Sequence, residues 1–387
     1  MNALAKGFSY SESMGQSPRP VKGQHSSWPA AALCGGALLA LIWSAWSWTS
    51  YHTLTSAVVW HCSLRSATNN GLLTIFFLVV GWELAHDLTH GVLRQRTKAI
   101  APTLAALGGM VLTALLSLLI ASMFHVSGLL QGWGVSMATD VAFVIGMLAF
   151  CGKRIPHELR IFLLTLAIAD DLGSLMVLAV FAQHHPRIIG LVLAATLAGL
   201  LTLLRRRLPW WGFALGGTLL WVALAYAGTE PALAGLVVGL CMMATPNTVR
   251  MMHRGHRWNA MIVLPLFAFC SCGIWWSAIR QNPVVSLFLG IVVVRLAGKV
   301  LGIWGSVQIV GRIKPLWATT LSSSHVLGAS LLCAMGFTVP LIFAQIRFGM
   351  TPSYYAITLG LLVASVVGGA AGVVVLRRSG RPRGVGA

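Results

Sequence analysis

Long apolar runs, many of 18 residues or more, alternate along this chain with short polar segments, and each run is long enough to cross a hydrocarbon core as a helix. The pattern predicts spanning helices over roughly 29–49, 71–88, 100–123, 133–150, 159–182, 187–204, 209–226, 230–245, 258–278, 284–305, 316–345 and 354–376, about twelve in all. The fold class is therefore an all-α integral membrane protein. Residues 1–28 are polar and Ser-rich, with Pro18 and Pro20, and lack the apolar core of a signal peptide. They predict a disordered cytoplasmic tail, and residues 377–387 a second, basic one.

Orientation follows from the basic residues. With both termini cytoplasmic, 21 of the 27 Lys and Arg fall on the inner side and four on the outer side, and the remaining two, Arg295 and Lys299, lie within spans. That bias accounts for the net charge of +19 without a nucleic-acid partner, since the charges are spread over separate cytoplasmic segments. Composition agrees, at 57% hydrophobic and 9% charged over 387 residues. The seven cysteines make no disulfide framework, because all but Cys62 lie in or near helices, and the Cys270 and Cys272 pair sits in an apolar helix as core packing rather than as a metal site.

Only eight residues are acidic. Glu12, Asp87, Glu158 and Glu230 are explained by a tail and by helix ends, Glu230 at an outer helix start where an acid suits the dipole. Asp170 and Asp171 are not. In LRIFLLTLAIADDLGSLMVLAVF they lie about 11 residues from the inner end, on the order of 16 Å deep in a core of about 30 Å. One ionised Asp at that depth costs about 2.5 to 3.5 kcal/mol even on lenient scales, so the pair needs a hydrated cavity, a partner or a proton. As neighbours they point about 100° apart, so one can meet a cation while the other faces an ion path. Lys299, in LFLGIVVVRLAGKVLGIWGSV, is the partner expected for Asp170.

Asp140 shares this depth. Its segment, GWGVSMATDVAFVIGMLAF, is short and has glycines around a Ser-Thr-Asp centre, and LSSSHVLGASLLCAMGFTVPLIFAQ carries Gly336 and Pro340 around Thr338. Both are expected to be interrupted at the centre, and weak helices in corresponding positions of two inverted halves point to a transporter site. Half-helix ends at the midplane need compensating charge, and Asp140 and Lys299 have the right signs.

Taken together, ATDVAF, IFLLTLAIADDLG, LAGKVLGI, LPLFAF, MGFTVPLIF, FFLVVGWEL and APTLAALGGM resemble the NhaA sodium/proton antiporters from about residue 71 onward. That family is itself a known instance of the inverted-repeat pattern, so the two readings are not independent. The resemblance implies twelve helices, with two inverted three-helix repeats at about 100–182 and 284–376, panel helices at about 29–88 and 187–278, two broken helices crossing at the midplane, and a homodimer. It implies that Asp140 and Asp171 bind the cation and proton with Thr139 beside them, that Asp170 and Lys299 form a salt-bridged, proton-coupled pair, and that Thr338 and Gly336 belong to the second broken helix.

Departures concern regulation. Glu230 stands where the family has a histidine, and Met252 where it has an acid, ahead of His253 and His256. His86 replaces a basic residue, Val300 a proline, and Arg295 is an added charge one turn before Lys299. Glu83, Glu230, His253, His256 and Arg295 are the candidates for a pH response. Glu230 is expected to be half-exposed and ionised throughout the neutral range, and Arg295 either to repel Lys299 or to turn toward Glu83 or a helix end.

The function expected is exchange of cytoplasmic Na+ or Li+ for external H+ across the bacterial inner membrane, without a cofactor, the cation and protons competing for the same carboxylate oxygens. The alternatives are a sodium-coupled symporter of an organic anion, with Arg295 as anchor, and a homologue that no longer transports. Neither a GxGD nor a DDxxD arrangement of an intramembrane enzyme occurs.

Overall fold

The computed structural model describes residues 28–59, 62–89, 96–151, 155–181, 187–242, 255, 257–279, 282–313 and 321–379. Residues 1–27 and 380–387 of the predicted tails, and Met252, His253 and His256, lie outside them, whereas residues 377–379, predicted as tail, continue the last helix to Ser379.

The described chain is almost wholly helical. Its main helices are α1 (Trp28–Trp46), α2 (Trp48–Ser56), α3 (Leu73–Thr89), α4 (Arg96–Phe124), α5 (Val141–Phe150), α6 (His157–Phe181), α7 (Ile188–Leu204), α8 (Trp210–Ala227), α9 (Leu233–Cys241), α10 (Leu264–Ser271), α11 (Asn282–Val293), α12 (Lys299–Ile313), α13 (Ser323–Cys333), α14 (Thr338–Phe348) and α15 (Pro352–Ser379). A two-residue antiparallel pairing, Val58–Val59 with Cys62–Ser63, is the sole sheet among the described residues. Local chemistry sets several ends. Ser47 and Ser322 cap α2 and α13 by accepting from Ser50 N and His325 N, both at 3.3 Å. Helix α8 stops at Gly228, whose φ of 77° lets its N–H turn back to Ala225 and Leu224 carbonyls.

By length and hydropathy, six helices among the described residues can cross a membrane, or seven if the bent pair α13 and α14, at 42°, is one span. Segments 29–49, 187–204 and 258–278 hold shorter apolar helices, and the segment around Asp140 holds only a turn of helix, a break and α5. Segment 284–305 extends further than predicted. A π-helical turn, Val294–Gly298, joins α11 and α12 into a continuous run ending at Ile313.

Glycines bring helices into backbone contact, as expected where lipid offers no hydrophobic drive for association. A Cβ on Gly302 of α12 would lie 2.6 Å from Gly108 O and 2.7 Å from Gly109 Cα of α4. On Gly235 and Gly239 of α9 it would lie 2.0 and 2.3 Å from the Thr74 and Leu78 carbonyls of α3. Larger residues would force these pairs apart.

Beyond α10 the chain leaves the helix for residues 272–275. The last carbonyls of α10 have no helical donors, and three side chains from other elements supply them. Tyr51 Oη donates to Phe269 O at 2.6 Å, Arg65 Nε to Cys270 O at 3.2 Å and Tyr354 Oη to Ser271 O at 2.7 Å. Tyr51 Oη also accepts from Gly273 N at 3.2 Å, so the broken turn is held on both sides. Cys270 and Cys272 are buried here, Cys270 Sγ 3.6 Å from Thr68 Oγ1.

Candidate functional site

Two interruptions of helix meet in the middle of the fold. The first follows the short helix Trp133–Ser136 and leaves residues 138–140 outside any helix before α5. The second separates α13 from α14 and leaves 335–337 outside any helix. Backbone and side chain join them: Asp140 N donates to Met335 O at 3.1 Å, and Thr139 Oγ1 to Cys333 O at 2.8 Å.

Asp140 stands at the start of α5, and its carboxylate reaches across to the start of α14. Asp140 Oδ2 accepts from Thr338 N at 3.3 Å and from Thr338 Oγ1 at 3.1 Å. A carboxylate at the first helical N–H meets the positive end of the α14 dipole, so the sign expected for Asp140 is the sign its surroundings require. Both residues are buried, at 5% and 4% exposure.

From α6 come the paired aspartates. Lys299 Nζ bonds Asp170 Oδ1 at 2.5 Å, with both side chains at 0% exposure. Asp171, the next residue, is half-buried and points elsewhere. Its Oδ1 is shut off from solvent and finds no hydrogen-bond partner among the described residues, as is true of Asp170 Oδ2. Asp171 lies within electrostatic range of Asp170, Asp140, Lys299 and Glu83. Three aspartates, a lysine and the two interruptions thus form one buried cluster, with Glu83 of α3 at its edge.

The chain matches the family model described as Na+/H+ antiporter 1 over residues 23–376. It belongs to the NhaA family of sodium/proton antiporters. Relatives include the Na(+)/H(+) antiporter NhaA of Vibrio cholerae, 32% identical over 344 residues that cover 85% of this chain and 89% of the relative. That of Yersinia enterocolitica is 36% identical over 322 residues, 78% of this chain and 80% of the relative, and that of Serratia proteamaculans 35% over 327 residues, 80% and 82%. NhaA proteins are transporters, not enzymes, and membership with the apolar helices makes this chain a multi-pass protein of the bacterial inner membrane.

Two members of the predicted site need restating within this NhaA frame. Glu230 lies in the turn between α8 and α9, outside both helices, where α9 begins only at Leu233. There it is not an ordinary surface acid: burial pushes its carboxyl up to about 7, opposed only in part by a hydrogen bond from the Ala232 backbone. Its side chain is half-buried, and the packing of the turn, which sequence does not display, shifts the carboxyl from the ordinary value that the expectation of full ionisation assumed. Arg295 turns to helix ends. Its Nε donates to Ala334 O at 2.6 Å, its Nη1 to Ser136 O at 3.2 Å and its Nη2 to Ala138 O.

Sequence reasoning missed the support behind the second interruption. Gly336 N donates to Ser365 Oγ of α15 at 3.2 Å, and Ser365 Oγ lies 3.4 Å from Gly336 O. The available signal was one hydroxyl in the apolar run LLVASVVGG. It missed Ser136 and Ala138 as well, which act through their carbonyls and leave no trace in side-chain chemistry.

Proposed function

We propose that the chain exchanges cytoplasmic Na+ or Li+ for external H+ by alternating access. The cation and protons compete for Asp140 and Asp171, and Thr139 and Thr338 shape the site. The observation that carries the reading is the buried, unpartnered Asp171 Oδ1 in the same cluster as Asp140. A carboxylate oxygen left unsatisfied in a low-dielectric interior is costly, and a proton or a hard cation relieves that cost in turn. Only one can be bound at a time, which makes the two fluxes obligatorily opposed. The names of the relatives support sodium and protons as the ions.

Asp170 and Lys299 give the cycle a second charge to relocate. Protonating Asp170 or losing a proton from Lys299 would release their ion pair, and movement of more protons than sodium ions per cycle makes exchange electrogenic. The twofold arrangement, with repeats at about 100–182 and 284–376 each carrying one interruption, is the scaffold we assign to alternation. Support comes from the interruption ahead of α5 in the first and between α13 and α14 in the second. The positive-inside bias supports cytoplasmic termini, and the lipid-embedded unit is proposed to be a homodimer.

An organic-anion symporter would need a cationic anchor directed at its substrate, and each of the three nitrogens of Arg295 donates instead to a backbone carbonyl. The test is collapse of a proton gradient in everted vesicles on adding Na+, Li+, K+ or an organic anion across a range of pH. Collapse by Na+ or Li+ supports the reading. Response to an organic anion alone, or to none of them, overturns it.

A further inference from the structure

Arg295 is a buried cation whose hydrogen bonds go to no carboxylate. Its side chain is at 0% exposure, and every hydrogen bond described for it ends on a backbone carbonyl. Ser136 closes the short helix before the first interruption, Ala138 lies within that interruption, and Ala334 closes α13. Carbonyls at helix C-termini lack intrahelical donors and carry the negative end of the dipole. Inside a membrane protein, away from water, such carbonyls must be satisfied by protein.

We infer that Arg295 is a positioning residue that clamps both interruptions to the helix run carrying Lys299, so that the Asp140 site is held in register by a guanidinium. This rests on the reading of Asp140 as part of the cation site. It also divides the work: the role of neutralising C-terminal helix ends, expected of Lys299, falls to Arg295. Lys299 is left to Asp170. A guanidinium suits the task because it presents N–H donors from three nitrogens in a rigid plane and keeps its charge, whereas the donors of an ammonium all radiate from one nitrogen and reach less far between segments.

Gly336 carries the complementary half of the argument. A Cβ there would lie 1.5 Å from Arg295 Nη2 and 2.6 Å from Ala138 O. Glycine at this position makes the space that the guanidinium fills, and Ser365 holds its backbone from the opposite side. The π-helical turn Val294–Gly298, a geometry frequent at functional sites, contains Arg295 and delivers it to the crossing.

The clamp has a measurable signature. Arg295→Lys keeps the charge and most of the volume but not the fork, Arg295→Met removes the charge, and Gly336→Ala leaves Arg295 in place while displacing its Nη2. Full-length protein is assayed for melting temperature in detergent and, in proteoliposomes, for the apparent KM for Na+ and the maximal rate. Loss of one or two charge-assisted hydrogen bonds at the crossing should raise the KM of Arg295→Lys about tenfold, with a maximal rate changed by less than about twofold. Its melting temperature should fall, and Gly336→Ala should move both readings in the same direction. Wild-type KM and melting temperature in Arg295→Lys would overturn the clamp and leave only a charge. A wild-type protein with no sodium-dependent proton flux would instead overturn the proposed exchange, while the melting comparison would still decide the clamp. Failure of Arg295→Met to insert leaves the other two variants to decide it.

Discussion

Thr338 gives Asp140 two donors: its backbone N–H at 3.3 Å and its hydroxyl at 3.1 Å converge on Oδ2. Asp140 is thereby anchored to the start of α14. On this geometry Asp140→Asn and Asp171→Asn should abolish sodium-dependent proton flux, since each removes the charge that cation and proton compete for while nearly preserving volume. Both variants should insert, and their melting temperatures should stay close to wild type. Wild-type flux in either one removes that residue from the exchange cycle.

Lys299 and Asp170 behave as a buried pair whose halves cannot be removed singly. Asp170→Asn leaves an ammonium at 0% exposure without its counter-charge. Breaking such a pair on one side costs about 3 to 5 kcal/mol, whereas replacing both partners is often near neutral. A marked drop in melting temperature is expected for Asp170→Asn, with part of it recovered in the Asp170→Asn, Lys299→Gln double variant. Thermal melts of the four proteins complete the cycle, and equal melting of wild type and Asp170→Asn would show that the pair adds no stability.

Glu230 predicts a pH dependence of stability with a definite sign. Its carboxyl titrates near 4.5 when unperturbed and is raised to about 7 in the fold. Between those values the folded state holds a proton that the unfolded state has lost, so stability from this group falls as pH rises from about 4.5 to 7. Glu230→Gln, neutral throughout, should lose less stability than wild type between pH 5 and pH 8. Parallel melting profiles over that interval would mean that Glu230 is solvated and ionised in the fold.

Much of the polar centre was legible because lipid makes charge expensive: in a chain with eight acids, Asp140, Asp170 and Asp171 stood out by cost alone, as did Lys299. The structure brings these four together. The role of Arg295 was not legible, since its partners are the carbonyls of Ser136, Ala138 and Ala334, and a carbonyl says nothing of itself in sequence. Burial of Glu230 depends on how the turn before α9 packs, which no local pattern records. The helices showed a related gap. Hydropathy runs mark where the chain is apolar; in 133–150 the glycines and the Ser-Thr-Asp centre point to an interruption but not to its bounds, with helix stopping at Ser136 and restarting at Val141.

The end of α10 offers a prediction independent of the ion site. Tyr354 is fully buried, and its hydroxyl serves the carbonyl of Ser271 at 2.7 Å. Tyr354→Phe keeps the ring, and with it the edge contact to Tyr355 at 5.7 Å, but removes the donor. Ser271 O then faces a dry interior with no replacement, and leaving one buried acceptor unsatisfied costs about 1 to 3 kcal/mol. Tyr51→Phe should cost more, because Tyr51 Oη both donates to Phe269 O and accepts from Gly273 N, and two backbone groups lose their partner together. Neither residue touches Asp140 or Asp171 in the described hydrogen bonds, so the apparent KM for Na+ should stay within about twofold of wild type, a difference under 0.5 kcal/mol. The measurement is the order of melting temperatures, wild type above Tyr354→Phe above Tyr51→Phe, alongside flux. Reversal of the two variants would mean that the turn at 272–275 is held chiefly by Arg65 and by packing, not by the tyrosine hydroxyls.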